Sequence, residues 1–229
     1  MVNMKKLVAL LGILSFLVLI PLSIINGTSG FIPELLIFAG LTALFAYFSD
    51  SLRLTIPTFT VVILGMILHG LGVLGFYGAS PVPIQWDHIT HIFGLFAFAL
   101  LIFEYLEQWM DVRLLTLRNI TLVIIIFLAA SGVGAVIELS EFLGYLKYGF
   151  GEGAFAFGPG DGFETFAKNN TDLIADLGGG WINTGWDLIF NTLGIIAGIA
   201  LMLARRLFIK TPEPAYYFEN VGEWSKKIN

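Results

Sequence analysis

Residues 86–94 read Trp86-Asp87-His88-Ile89-Thr90-His91-Ile92-Phe93-Gly94, "WDHITHIFG", at the start of a long apolar run. The frame returns one hundred residues later as "WDLIFNTLG", Trp186 to Gly194, with Asn191 in the place of His91. A carboxylate and two imidazoles at the mouth of an apolar segment decide between two folds. In a soluble protein the run is a buried core helix, whereas in a bilayer it is a span with a polar site at one end.

Composition settles that choice. The 229 residues are 57% hydrophobic and only 13% charged, with a mean hydropathy of +0.85. Soluble domains are about a quarter charged, so this is the balance of an integral membrane protein. There is no cysteine, which removes disulfides and thiolate metal sites, and the net charge of −5 offers no basic surface for nucleic acid. No phosphate-binding or dinucleotide fingerprint accompanies the 26 glycines.

Apolar runs of bilayer length fall at about Leu7–Ile25, Phe31–Phe48, Leu54–Phe76, Asp87–Leu106, Ile120–Tyr145 and Trp186–Phe208. The expected fold is therefore an all-α, polytopic bundle of about six transmembrane helices. Residues 1–210 form the membrane domain and 211–229 a short tail. Lys5 and Lys6 precede the first run like a signal peptide, but its length and flanks favour a retained anchor. Pro21 and Pro57 fall inside spans, where kinks are expected.

Ten of the twelve Lys and Arg residues fall on one side of a six-span arrangement, leaving Lys147 and Lys168 on the other. The positive-inside rule then places both termini in the cytoplasm of a cell-membrane protein. Spans four and six run inward and span five outward. Asp87, Asp187, Glu138, Glu141 and His69 are thereby expected together at the extracytoplasmic end.

Helical spacing aligns these groups. Asp87, His91 and Gly94 form one stripe, Ser131, Gly134, Glu138 and Glu141 a second, and Asp187, Asn191, Gly194 and Gly198 a third. Each carries polar groups toward the outer end and small residues inward, as expected for helices packed through glycine below a polar chamber. Gly194 and Gly198 are expected between spans five and six. His88 lies off its stripe, toward span three or the headgroups. Trp86 and Trp186 alone read as interfacial tryptophans, and Asp87 and Asp187 as helix caps. His69 reads first as an interhelical hydrogen-bonder, and Glu104 and Glu107 as solvated residues near Arg113. Glu138 and Glu141 are costly in a span unless paired, protonated or metal-bound.

Leu146 to Gly185 reads as one long outer connection. Its phenylalanines Phe150, Phe155, Phe157, Phe163 and Phe166, and the capped start of "DGFETFAK", suggest a lid lying in the interface. "TDLIADLGGG" reads as a helical turn or two ended by glycine.

The order D-x-x-x-H, E-x-x-E and W-D-x-x-x-N-x-x-G-x-x-x-G, across Trp86 to Gly198, resembles the YjdF-like inner-membrane proteins of unknown function. More distantly it is similar to the VanZ-like family. The resemblance falls on Asp87, His91, Glu138, Glu141, Asp187 and Asn191, and implies a fold neighbourhood without a reaction. His88 and the approach "GGGWINTGWD" depart from the pattern.

Mixed His and carboxylate groups without cysteine suit Zn²⁺, Mn²⁺ or Fe²⁺. The leading expectation is a metal-dependent enzyme acting on lipid or lipid-linked headgroups. Asp87, His91, Glu138 and Asp187 would be ligands, with His88 and His69 as possible additions, Glu141 the general base and Asn191 an orienting donor. The alternatives are a proton- or cation-coupled transporter and a non-catalytic module whose polar network fixes helix packing. Oligomeric state is not legible.

Overall fold

A computed structural model describes residues 4–77, 79–148 and 173–208, with side chains described outside 144–148 and 173–182. Among the described residues every regular element is helical. In chain order these are α1 (Met4–Ile25), α2 (Ile32–Phe48), α3 (Ile56–Gly70), α4 (Trp86–Glu107), α5 (Leu117–Tyr148) and α6 (Leu173–Phe208). Short 3-10 turns, Ser29–Phe31 and Leu71–Leu74, extend α2 and α3. Six helices are long and apolar enough to cross a membrane, which matches the expected spans. Apolar residues ring each helix, as a lipid-facing surface requires. Leu10, Leu14 and Val18 of α1 and Ile124, Leu128, Val136 and Leu139 of α5 are exposed in this way.

Three apolar cores hold the bundle. Phe16 and Leu19 of α1 meet Leu35 and Phe38 of α2. Ala9, Phe59, Val62 and Ile63 meet Ala97 and Leu101, joining α1 and α3 to α4. Leu95, Ala99, Leu100 and Phe103 of α4 meet Ile126 and Ala130 of α5 and Ile195, Ile199 and Met202 of α6. The α4–α6 contact is the most extensive.

Small residues make these contacts close, though not always where the sequence suggested. A Cβ on Gly194 would collide with the Ile92 carbonyl, and one on Gly198 would sit 2.9 Å from Ala99 Cβ. Both glycines therefore face α4, not α5. Spans five and six instead meet at Gly134, where a Cβ would lie 3.0 Å from Asn191 Nδ2. Gly94 is no cradle of its own; it is approached by Gly65 of α3, whose Cβ would lie 3.6 Å from the Gly94 Cα.

The helix ends also correct the reading of the sequence. Thr55 caps α3, so Pro57 occupies the first turn, where its missing N–H costs nothing. Helix α5 runs to Tyr148 and α6 starts at Leu173, so both enter the stretch read as one long connection. Gly178 to Gly180 do not end a helix there; the i→i−4 pattern continues through them. The "DGFETFAK" segment and the five phenylalanines lie outside the described residues.

The end carrying Arg205 and Arg206 is knitted by charge. Glu104 accepts from the Thr55 backbone N–H (2.8 Å) and hydroxyl (2.7 Å) and pairs with Arg205 Nη1 at 3.4 Å. Glu107 also pairs with Arg205. Glu104 is thus a buried clasp between α3, α4 and α6 rather than a solvated residue, because the backbone and guanidinium donors replace its water. Asn119 bridges the α4–α5 turn, donating to the Asp111 and Arg113 carbonyls.

Candidate functional site

At the opposite end, α4, α5 and α6 bring their polar stripes together above the Leu95–Ile195 core. Asp87 and His91 share a face of α4 because they are four residues apart. His91 is the hub. Its Nε2 lies 3.1 Å from Asp87 Oδ1 and 3.8 Å from Asp187 Oδ1. Its Nδ1 lies 3.1 Å from Glu138 Oε1 and 3.1 Å from Asn191 Oδ1. Asn191 in turn donates from Nδ2 to Glu138 Oε1 at 3.0 Å. All six expected groups, Asp87, His91, Glu138, Glu141, Asp187 and Asn191, are buried.

Two groups of three could each hold a metal ion, Asp87–His91–Asp187 and His91–Glu138–Glu141, with ligand atoms mutually within 4.8 Å. They share His91 and stand on opposite edges of its ring. In the first, Asp187 is wholly buried and Asp87 is 8% exposed, yet no N–H donor reaches Asp187 Oδ1 or Asp87 Oδ2, and the two carboxyl groups can hydrogen-bond to each other only by sharing a proton. Among the described residues neither pairs with a Lys or Arg. Buried carboxylate oxygens without a donor are costly, so this corner calls for a cation or a shared proton.

Sequence reasoning missed a supporting side chain here. Asn183, one turn before Asp187, donates to Asp187 Oδ2 at 2.9 Å and so turns Oδ1 toward His91. Its stretch before Trp186 is glycine-rich and carries no apolar period that would align Asn183 with Asp187.

The remaining candidates lie around this cluster. His88 stacks on Phe190 of α6 with ring centroids 4.0 Å apart, rather than facing α3. The two tryptophans of the repeated frame part company. Trp186 is 52% exposed, as an interfacial residue should be, whereas Trp86 is 8% exposed and donates to the Leu68 carbonyl at 3.1 Å. Trp86 is therefore a strut between α4 and α3, because α3 offers a free carbonyl near its C-terminal end. His69 belongs to neither group of three; its Nε2 meets Glu34 Oε1 at 2.8 Å and its Nδ1 meets the Tyr77 hydroxyl at 2.8 Å. Glu34, 2% exposed on α2, was not singled out from the sequence. It stands one residue after Pro33 at a helix start, where an acid reads as ordinary first-turn chemistry.

A family model described as "Predicted membrane protein (DUF2238)" matches residues 7–207. The chain belongs to this family. The match agrees with the YjdF-like resemblance and spans all six helices. No curated protein and no solved structure matches.

Proposed function

We propose that this DUF2238 protein is a metal-dependent membrane enzyme acting on lipid or lipid-linked headgroups at the extracytoplasmic face. A divalent Zn²⁺, Mn²⁺ or Fe²⁺ ion would be held by Asp87, His91 and Asp187. The observation that carries this reading is the buried Asp87–Asp187 pair beside His91 Nε2: Asp87 Oδ1 lies 3.1 Å and Asp187 Oδ1 3.8 Å from that nitrogen, while Asp187 Oδ1 and Asp87 Oδ2 receive no N–H donor.

Glu138 and Asn191 stand at the other ring nitrogen, the position of an acceptor for Nδ1–H. That arrangement supports an orienting role for Glu138, since a ligating histidine commonly donates its second N–H to a carboxylate. Asn191 is already committed to Glu138, which makes it a brace for that carboxylate rather than a donor to substrate. Glu141, in the Glu138 group, remains the base of choice. A bound ion would supply activated water and neutralise a developing oxyanion. The outward placement rests on the basic residues: Arg113, Arg118, Arg205 and Arg206 gather at the far end, as a cytoplasmic face requires.

Elemental analysis of protein purified without added metal tests this. About one divalent ion per chain is expected, lost in Asp187→Asn and retained in Glu104→Gln at the other end. Wild-type protein free of metal, and unable to take it up, overturns the reading. The second reading is a proton-sharing network that only fixes helix packing. It is favoured by the contacts at both His91 nitrogens, which an imidazolium between Asp87 and Glu138 would satisfy without an ion.

A further inference from the structure

Glu34 of α2 and His69 of α3 meet apart from the cluster around His91. Glu34 Oε1 lies 2.8 Å from His69 Nε2, yet Nε2 makes no hydrogen bond. The distance suits one, so the direction must fail. The oxygen stands off the in-plane axis on which a ring nitrogen carries its hydrogen or its lone pair. Glu34 Oε2 has no hydrogen-bond partner either, and the residue is 2% exposed. Among the described residues no Lys or Arg pairs with Glu34. A carboxylate so placed at the start of a span is costly without a cation.

The other ring nitrogen fixes the tautomer. Nδ1 lies 2.8 Å from the Tyr77 hydroxyl. The Thr90 hydroxyl of α4 stands beside that phenol and gives its own hydrogen to the Asp87 carbonyl at 2.7 Å. Thr90 can therefore only accept from Tyr77. With the phenolic hydrogen turned to Thr90, the phenol oxygen accepts Nδ1–H, and a neutral His69 presents a bare lone pair at Nε2. Phe31 stacks on Tyr77 at 5.9 Å, and a Cβ on Gly72 would collide with the phenol ring, so the ring is held in place.

We propose that Glu34 and His69 bind a divalent cation of the zinc class, at a site separate from Asp87, His91 and Asp187. A lone pair and a carboxylate oxygen 2.8 Å apart repel unless positive charge joins them. A proton serves poorly here. Whether carried as an imidazolium N–H or given by a carboxylic acid, it must lie along the ring axis that the Glu34 oxygen avoids. An ion on that axis has no such need, because its bond to the oxygen takes a direction of its own. Two ligands with bonds of about 2.0–2.2 Å stand roughly 2.8–3.4 Å apart around one octahedral or tetrahedral ion. The Glu34–His69 separation lies at the short end of that range. Tyr77 then holds Nδ1–H and aims Nε2, the part usually taken by a carbonyl or carboxylate behind a ligating histidine. Imidazole and carboxylate without thiolate suit Zn²⁺, Mn²⁺ or Fe²⁺. Water completes the shell, entering past His69, whose side chain is 21% exposed.

With two protein ligands against three, this site holds its ion more loosely than the one at Asp187. It therefore fills on addition of metal rather than during purification. The test is zinc titration of full-length Asp187→Asn protein in detergent, followed by ¹⁵N-histidine NMR. The chain has three histidines, and His69→Gln and His88→Gln proteins assign them. Zn²⁺ should shift His69 Nε2 while Nδ1 keeps its hydrogen. Glu34→Gln, which keeps the shape and removes the charge, should abolish that shift, and Tyr77→Phe should weaken zinc affinity by about 10–100-fold. A His69 that stays imidazolium, or neutral and unmoved, throughout the titration overturns the site. So does a His69 shift that survives Glu34→Gln. Because His69 is read by its own resonance, the same titration of wild-type protein decides the matter should Asp187→Asn fail to fold. Failure at His69 and failure at the Asp87–His91–Asp187 site are therefore separate results.

Discussion

His91 Nδ1 lies 3.1 Å from Glu138 Oε1 across the α4–α5 interface, with Asn191 closing a triangle from α6. One imidazole thus ties three helices, and its second nitrogen is left to Asp87 and Asp187. If Glu138 orients the ring and does not ligate, Glu138→Gln should weaken metal affinity by about 10–100-fold without abolishing it. Titration of the variant against a competing chelator measures this. Complete loss, equal to that of Asp187→Asn, would make Glu138 a ligand.

The α4–α6 seam has no room for a side chain at Gly194, where Ile92 backbone already occupies the Cβ position. Gly194→Leu should destabilise the fold by more than the roughly 1–3 kcal/mol typical of overpacking, since backbone must move. Thermal unfolding in detergent reads it. The same change at Gly132, where nothing lies within 4 Å, should be tolerated.

Glu104 satisfies two Thr55 donors and an Arg205 guanidinium at once. Removing it in Glu104→Ala takes the acceptor from both Thr55 donors and leaves Arg205, whose side chain is 30% exposed, to Glu107 alone, a loss of about 1–3 kcal/mol. In a double-mutant cycle with Arg205→Met the two losses should be less than additive, because either single change already removes the Glu104–Arg205 contact. Strictly additive losses would refute the coupling.

Orientation can be read on intact cells, helped by the absence of native cysteine. Ala79, exposed between α3 and α4, lies at the site end, and Leu115, 92% exposed between α4 and α5, lies at the other. An impermeant thiol reagent should label Ala79→Cys and spare Leu115→Cys. The opposite pattern would put the site on the cytoplasmic side.

Much of this was legible in the sequence because helical period and bilayer length are strong local signals. The spans, the three stripes and the meeting of Asp87, His91, Glu138 and Asp187 all follow from i, i+3 and i+4 spacing. What spacing does not give is the neighbour each stripe chooses. Gly194 and His88 were aligned correctly on their helices but turned toward α4 and Phe190 rather than α5 and α3. Trp86 illustrates the same gap: an aromatic at a helix start looks interfacial until a carbonyl from another helix meets its N–H. Glu34 was invisible for a different reason. Its importance lies wholly in His69, thirty-five residues away, and no local pattern links the two.

The central claim is that Asp87, His91 and Asp187 hold a divalent ion. An experimental structure of the purified protein, with anomalous scattering collected at the absorption edge of the metal found by elemental analysis, tests it most directly. The account predicts one peak about 2.0–2.2 Å from His91 Nε2 and from an oxygen of each aspartate, with Glu138 on the far side of the ring. An unoccupied corner, with His91 bridging Asp87 and Glu138 and no metal in the protein, would contradict it.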